Sequence, residues 1–484
     1  MLSHLLGFAF TIPLITLIYF AIPKDKRYLW LLVVSYGFYA YINAAYAGVL
    51  LLLTAIGYFG ALKMQGERKK LSAALCILSS LGILIFFKYF ASLYNGINGI
   101  LNIWHMQLAF DVNSLILPIG MSYYTLQSLG YAIDVYRGKA EPEKNFAKYA
   151  LFVSFFPTVF SGPIQRSHTL LKQINEGTDF NYDQAKKGLL MIAFGLFEKI
   201  LISNQLAIIT RMAYSNYQEL TGAVILFILI LFGLQIYADF AGYSHIAIGI
   251  ANVLGFSLEE NFKQPYFSAS FKDFWKRWHI SLSLWLRDYV YISLGGNRKG
   301  KFRANINVLL TFLATSFWHG FTLNYCVYNL SLGLFVVLEN LFKGTKEKLI
   351  QTFSVKTDCF SYKLFNIAVV FMCYNFLWVF FMPENMAISM NMIRRIFCDF
   401  NLGLTLSNQL YLLDKPTLFQ FLFIKLLVLF FVDLLHEYNV SISGWLKEQN
   451  IVFRWICYLG IAVMLFIALF NNYGEDQDFL YIKF

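Results

Sequence analysis

A single histidine stands inside one of the two longest stretches of the chain that have no Asp, Glu, Lys or Arg. Residues 304–338 contain no Asp, Glu, Lys or Arg, yet His319 lies among them, in the sequence SFWHG. A stretch this apolar is suited to lipid, where an ionisable side chain is costly and indicates a functional site. Neutral imidazole suits general-base catalysis near neutral pH, which predicts chemistry within a membrane. The alternative is a histidine that packs helices together through a hydrogen bond to a neighbouring carbonyl.

A second histidine lies in a strongly charged segment, residues 271–300. If the segment is one helix, it has an apolar face and a polar face. The apolar face holds Trp275, Trp278, Leu282, Trp285 and Tyr289, and the polar face holds Lys272, Lys276, His279, Ser283 and Arg287. Asp273 can pair with Arg277 four residues later. The segment is too charged to cross lipid, so we expect it at the interface or re-entering the membrane. The alternative is an amphipathic surface helix.

A glycine-rich loop follows, residues 295–303, and it carries four cations. These are Arg298, Lys299, Lys301 and Arg303. Glycines let backbone amides approach a ligand, and cations attract phosphates. The alternative is a basic cytoplasmic loop of a membrane protein, since the spacing matches no Walker motif.

The elements that position these residues are membrane helices. The 484 residues are 58% hydrophobic and only 14% charged, against roughly 25% charged in soluble domains. A membrane helix needs about 20 mainly apolar residues. Runs of that kind begin near Leu5, Tyr28, Ala44, Leu71, Ser114, Tyr149, Leu189, Ala223, Ile306, Tyr325, Leu364, Leu418 and Ile451. We expect an all-α polytopic protein with about 10–12 spans, and some runs buried, re-entrant or interfacial.

The loop charges predict the orientation. Basic residues occupy the loops at 24–27, 63–70 and 137–148, whereas the loops at 43 and 94–113 have no Lys or Arg. This alternation is the positive-inside pattern, and it places the N-terminus outside. It also accounts for the net charge of +11 without nucleic-acid binding.

No further motif divides the chain or holds a metal. Residues 1–20 lack a basic start and are followed by more apolar runs, so we interpret them as the first membrane helix and not as a cleavable signal. The six cysteines are scattered without a CxxC pair, so neither a zinc site nor a disulfide framework is indicated. We therefore expect one integral membrane domain, residues 1–484, with a motif-rich core at about 115–335.

The motifs of this core resemble those of the membrane-bound O-acyltransferases (MBOAT), in the bacterial branch that acetylates alginate and peptidoglycan. The matching sequences are FWKRWHISLSLWLRDYVYISLGGNRKG at 274–300, FWHG at 317–320, LPIGMSYY at 117–124, YAIDVYRG at 131–138, FFP at 155–157, SGPI at 161–164, YADFAGYS at 237–244 and FLYIKF at 479–484. One departure is FFMP at 380–383, where the family usually has FFRA.

The resemblance implies an MBOAT-like fold with two functional histidines that face a passage through the membrane. His319 would be the catalytic residue, as a base or a transient nucleophile, and His279 a second important residue. Candidate substrate-binding residues are Trp278, Trp285, Arg287, Asp288 and Trp318, with Arg298 and Lys299 for donor phosphates; packing is an equal alternative for the tryptophans. Asp239 lies in an apolar context and needs a partner, either a basic residue or a tyrosine.

The implied activity is O-acetylation of an exported glycan from a cytoplasmic thioester. Acetyl-CoA or an acyl carrier would be the donor, with no bound cofactor and no metal, in the bacterial inner membrane. Peptidoglycan is the preferred acceptor; alginate, another exopolysaccharide, or D-alanyl transfer to teichoic acid are alternatives. An extracytoplasmic SGNH-type acetyltransferase would be the partner. Two alternatives of another class are a polar-solute transporter and a non-catalytic membrane scaffold.

Overall fold

The computed structural model describes residues 2–104, 106, 117–401 and 416–471. Within these ranges the regular elements are all helical, which confirms the predicted all-α class. The closing motif at 479–484 and residues 107–113 of the predicted neutral loop lie outside the described residues.

The described residues form two compact groups. One comprises Leu6–Gly188 and Ala247–Glu259, and the other comprises residues 2–5, Leu189–Ile246 and the described residues from Glu260 onward. The single domain expected for residues 1–484 stays a prediction.

The first group contains the helices of the N-terminal part of the chain. They are α1 (Leu2–Ala21), a 3-10 turn (Lys24–Lys26), α2 (Arg27–Ile42), α3 (Ala44–Lys63), α4 (Lys69–Asn102), α5 (Met121–Tyr136), α6 (Phe146–Ser154), a π-helical turn (Ser167–Leu171) and α7 (Lys172–Glu176). Asn43 begins α3, because its side chain accepts a hydrogen bond from the amide of Ala45 at 2.9 Å. The core lies around α5 and α6, where the Tyr149 hydroxyl is 2.8 Å from Ser128 Oγ.

The second group contains most of the remaining helices. The elements from residue 182 onward are α8 (Tyr182–Leu196), a π-helical segment (Phe197–Ser203), α9 (Asn204–Ser215), α10 (Gly222–Val253), a 3-10 turn (Pro265–Phe267), α11 (Phe271–Arg277), α12 (Ile280–Leu286), a π-helical turn (Arg287–Tyr291), α13 (Gly300–His319), α14 (Leu323–Thr352), α15 (Phe360–Phe381), α16 (Met386–Cys398), α17 (Pro416–Glu437), α18 (Ile442–Glu448) and α19 (Ile451–Asn471). Helices α8 and α10 each have residues in both groups.

Six helical stretches in the described residues are long and apolar enough to cross a membrane. They are Ala44–Lys63, Lys69–Asn102, Tyr182–Ser215, Gly222–Val253, Leu323–Thr352 and Phe360–Phe381. Shorter apolar stretches occur at Phe10–Ala21 and Ile451–Ile467. The run predicted near Ser114 begins outside the described residues, and its described part leads into α5, while the run near Tyr149 lies over α6. These helices have 16 and 9 residues and are largely buried. The chain is a multi-pass membrane protein.

Residues 271–300 are not one continuous helix, so the two faces of a single helix do not extend over the whole segment. The helix breaks after α11: Trp278 is extended, and His279 has the left-handed values φ 44° and ψ 54°. Hydrogen bonds to a distant residue replace those of the helix, because the amides of Ile280 and Ser281 both donate to Asn261. The predicted i,i+4 ion pair does form, with Arg277 Nε 3.0 Å from Asp273 Oδ2.

Helices α13 and α14 form an antiparallel hairpin. Asn340 Nδ2 donates to Asn305 Oδ1 at 3.1 Å, and near the turn Ser316 Oγ donates to the Tyr325 carbonyl at 3.2 Å. Gly320 ends α13 with φ 124°, a value that favours glycine. Thr322 begins α14 by accepting a hydrogen bond from the amide of Tyr325. The hairpin places His319 beside its turn, as the last residue of α13.

Candidate active site

His279 is held by Asn261, which lies in the loop between α10 and α11. His279 Nδ1 is 3.0 Å from Asn261 Oδ1, and the same oxygen accepts from Ser281 Oγ at 2.9 Å. Asn261 Nδ2 donates to Ser244 Oγ at 3.2 Å. These groups are buried, and His279 is 2% exposed. The break between α11 and α12 therefore has a fixed geometry, and it presents an imidazole inside the protein.

The surroundings of His279 are apolar on one side. The ring of Phe240 meets the imidazole edge to face, with centroids 4.6 Å apart. His279 lies outside the candidate spans, and burial holds the pKa of its imidazole well below the ordinary value. His319 lowers this pKa further, so the two imidazoles are close enough to interact electrostatically. His279 is accordingly neutral at neutral pH.

His319 is buried among aromatic rings at the end of α13. It is 7% exposed, and its ring centroid lies 5.4 Å from that of Phe381 and 6.0 Å from that of Tyr325. Phe381 belongs to the FFMP sequence at 380–383. A wall of this kind excludes water around the imidazole, which strengthens electrostatic interactions at the site.

Aromatic rings connect the two histidines. Trp278 is the neighbour of His279 in sequence, and its ring centroid lies 6.2 Å from that of Trp378. The ring centroids of Trp378 and Phe381 are 5.3 Å apart. Tyr328 stacks on Trp378 at 5.3 Å. Trp278, which follows α11, and residues of α14 and α15 therefore form a continuous series of aromatic contacts from the neighbour of His279 to the ring that packs on His319. We call it the aromatic wall: Trp278, Tyr328, Trp378 and Phe381.

The predicted substrate-binding residues occupy three different places. Trp278 is buried in the aromatic wall, and Trp318 is half-buried beside His319 in sequence. Trp285 is buried and packs against Tyr289 at 5.0 Å. Arg287 and Asp288 are paired with each other at 2.8 Å in the π-helical turn, and Arg298 and Lys299 are exposed. Contact of these side chains with a substrate stays a prediction.

The glycine-rich loop lies far from His319 along α13. The loop is attached near the start of this helix, where Asn307 Nδ2 donates to the Gly296 carbonyl at 2.9 Å. From Gly300 to His319 the helix is about 30 Å long at 1.5 Å per residue. α12 and the π-helical turn also lead from His279 toward this loop. The cationic loop therefore follows the π-helical turn and leads into the start of α13. The imidazoles lie at the other ends, with His279 just before α12 and His319 at the end of α13.

A second buried polar cluster lies on the π-helical segment and α10. Lys199 Nζ is 2.5 Å from Asp239 Oδ1, and Ser203 Oγ donates to the same oxygen at 3.2 Å. This confirms that Asp239 has a basic partner. Glu198 Oε2 is 2.6 Å from His245 Nδ1 in the same region. The pairing of Glu198 with His245 was not expected from the sequence.

Sequence reasoning also missed Asn261 and Trp378. Neither residue stands in a charge pattern, and each acquires its role from contacts far along the chain. A polar residue in the short loop between α10 and the charged segment, immediately before a helix break, was the only signal available for Asn261.

Comparisons with known proteins match the part of the chain that contains the candidate active site. A family model described as MBOAT, membrane-bound O-acyltransferase family, matches residues 137–383. This range contains Asn261, His279, His319 and the aromatic wall. It therefore includes the candidate active site in full.

Curated relatives cover most of the chain. A probable alginate O-acetylase AlgI of Pseudomonas syringae pv. tomato is 34% identical over 391 residues, which are 80% of this chain and 73% of that protein. A peptidoglycan O-acetyltransferase of Helicobacter pylori is 30% identical over 396 residues, 76% of this chain and 73% of that protein. A teichoic acid D-alanyltransferase of Bacillus subtilis is 29% identical over 259 residues, 50% of this chain and 64% of that protein.

Proposed function

This chain belongs to the membrane-bound O-acyltransferase family and is an O-acyltransferase, and from that premise we propose that it moves an acetyl group from a cytoplasmic thioester across the membrane to O-acetylate an exported glycan. The observation that carries the proposal is the pair of buried, interacting imidazoles at the aromatic wall, with a cationic loop at the other end of α13. Family membership favours an enzyme over the transporter and the scaffold.

His319 acts in this proposal as the general base. Acyl transfer to a hydroxyl requires a base for the hydroxyl proton, stabilisation of the oxyanion, and exclusion of water. A positioned base contributes about 10²–10⁴ in rate. The hydroxyl oxygen forms the ester bond, the C–S bond breaks, and the proton passes from the imidazole to the thiolate. The alternative is a transient acyl-imidazole on His319.

Acetyl-CoA, or a carrier with the same thioester arm, is the proposed donor. The cationic loop attracts phosphates, whereas the acyl group must reach His319, about 30 Å along α13. The donor must therefore place its phosphates at the cationic loop and its acyl group at His319. A molecule that carries the thioester on a long arm, far from its phosphates, can do this. Trp285 and the pair Arg287–Asp288 lie between the two ends and are proposed to line the donor.

The acceptor is proposed to be an exported glycan. The relatives' names divide between alginate and peptidoglycan, at 34% and 30% identity, and both polymers are carbohydrates that carry free hydroxyls. The D-alanyltransferase matches only half of this chain, which favours acetyl as the transferred group. We place the protein in the bacterial inner membrane with its N-terminus outside, where an extracytoplasmic SGNH-type acetyltransferase receives the acetyl group.

The experiment is the substitution His319→Ala. We expect normal membrane insertion but loss of acetyl groups from the exported polymer, because the base is removed. Ester-linked acetate is measured separately on purified peptidoglycan and on secreted polysaccharide, which identifies the acceptor. The matched control is His168→Ala, since His168 is exposed and lies in the other group of helices. Wild-type acetylation in the His319 variant would overturn the assignment of the base.

A further inference from the structure

We propose that Asn261 is a positioning residue that holds His279 with its proton on Nδ1, so that Nε2 accepts a hydrogen bond from a hydroxyl of the acceptor substrate. The inference rests on the proposed function, because it assigns the hydroxyl-bearing partner of that same site. It also separates the roles of the two imidazoles.

The orientation of the Asn261 amide follows from its neighbours. The backbone amide of Ser281 donates to one Asn261 side-chain atom at 3.3 Å, and a backbone N–H needs an acceptor there. That atom is therefore Oδ1, which leaves Nδ2 to donate to Ser244 Oγ at 3.2 Å. Hydrogen positions are inferred from such networks, and here the Ser281 amide fixes the assignment.

The protonation of His279 follows from the orientation of Asn261. Oδ1 is an acceptor only, and His279 Nδ1 lies 3.0 Å from it, so Nδ1 carries the hydrogen. Burial disfavours the imidazolium, so the ring carries a single proton. Nε2 therefore presents a lone pair.

Asn261 also fixes the backbone at His279, which sets the direction of the imidazole. His279 adopts φ 44°, a left-handed conformation that costs free energy in a residue with a side chain. The carbonyl of Asn261 compensates by accepting from the Ile280 amide at 2.9 Å. Asn261 thus binds the strained turn through both its main chain and its side chain, and the turn aims one imidazole.

A fixed lone pair on Nε2 restricts what His279 can bind. A neutral imidazole protonated on Nδ1 cannot donate from Nε2, so it cannot stabilise the thioester oxyanion. It suits a donor, such as a hydroxyl on the molecule that receives the acetyl group. That hydroxyl donates to His279, which orients the acceptor, while His319 takes the proton of the hydroxyl that reacts.

The test compares Asn261→Asp with Asn261→Ala. The carboxylate keeps the acceptor but stabilises the imidazolium, whose Nε2 is a donor, so the pKa of His279 rises. The acid limb of the pH profile of kcat/KM should therefore move to higher pH. Asn261→Ala removes the constraint and should raise KM for the acceptor about tenfold. His319 is the titratable neighbour that acts on His279, and it is unchanged in both variants.

A direct readout does not need turnover. The ¹⁵N shifts of the His279 ring in purified full-length protein should show a protonated Nδ1 and an unprotonated Nε2, and a tautomer mixture in Asn261→Ala. Asn340→Asp, a half-buried asparagine at the other end of the α13–α14 hairpin, is the control. A proton on Nε2 in the wild type, or an unmoved pH profile in Asn261→Asp, would overturn the proposal. The ring tautomer can be read whether or not acetyl is the transferred group.

Discussion

One buried ion pair lies in the second group of helices. Lys199 and Asp239 have side chains that are only 7% and 2% exposed, and they lie on two candidate spans. Removing two charges from water costs several kcal/mol for each ion, and their attraction offsets this only with good geometry and further hydrogen bonds. Ser203 supplies one such bond. Each charge therefore offsets the cost of burying the other, and either charge alone would destabilise the fold.

Substitution of one partner should show this dependence. We expect Asp239→Ala to lower the free energy of unfolding by about 3–5 kcal/mol, because Lys199 remains buried without its counter-charge. The double variant Asp239→Ala, Lys199→Met should recover most of that loss. Thermal unfolding in detergent measures both. Asp25→Ala, at an exposed acid, should stay within about 0.5 kcal/mol of the wild type. Equal stability of the single and double variants would contradict the account.

The residue types of the site were predictable from the sequence, but the network around them was not. A histidine in a charge-free run and a histidine in a charged segment are visible because the background is so apolar. Asn261 is not visible, because its bonds join residues 18 and 20 positions apart and depend on the break at His279. The partner of Asp239 was predictable by class only, since burial demands a counter-charge but does not say which one.

At the scale of the helices, the length of an apolar run in the sequence did not predict whether that run forms a long spanning helix or a short buried one. The runs near Ser114 and Tyr149 were apolar enough to suggest spans, yet α5 and α6 are short and buried. The spacing of aromatic residues over 271–300 was compatible with one helix, but tertiary hydrogen bonds to Asn261 interrupt it. The long helices α4, α10, α14 and α15 were the predictable part, because lipid requires about 20 continuous apolar residues.

Close approach of α10 and α15 depends on Gly233. A Cβ at this position would lie 1.9 Å from Asn375 Oδ1 and 2.7 Å from Trp378 Nε1. Asn375 cannot easily move, since it is fully buried and its Nδ2 donates to the Phe371 carbonyl at 2.8 Å. Trp378 belongs to the aromatic wall, so a shift there reaches both histidines.

We therefore expect Gly233→Ala to lower stability by about 1–3 kcal/mol through overpacking, and to reduce the rate of acyl transfer as well. The matched control is Gly344→Ala on α14, where an added Cβ meets nothing within 4 Å. That change should stabilise the helix by up to about 1 kcal/mol and leave the rate unchanged. Unfolding midpoints and transfer rates are measured on both proteins. Identical behaviour of the two variants would refute the role of Gly233.

At the scale of the whole molecule, charge and exposed apolar surface agree on a membrane location. Large apolar side chains are exposed along several helices, among them Phe10 at 76%, Leu78 at 67% and Phe466 at 54%. Such surfaces are unfavourable in water and normal in lipid. The antiparallel α13–α14 hairpin then returns the chain to the side of the cationic loop. The loop between α14 and α15 should therefore share that side, which the positive-inside rule makes cytoplasmic.

Cys359 tests this orientation. It lies in that loop, outside the candidate spans, where hydrogen bonds from Ser361 and from the amide of Tyr362 lower the pKa of its thiol. A lowered pKa increases the thiolate fraction and hence the reactivity toward maleimides. In a variant whose single cysteine is Cys359, a membrane-impermeant maleimide should label inside-out vesicles and spare intact cells. Cys359→Ser in the same background gives the blank. Labelling of intact cells would invert the proposed topology, and with it the cytoplasmic entry of the donor.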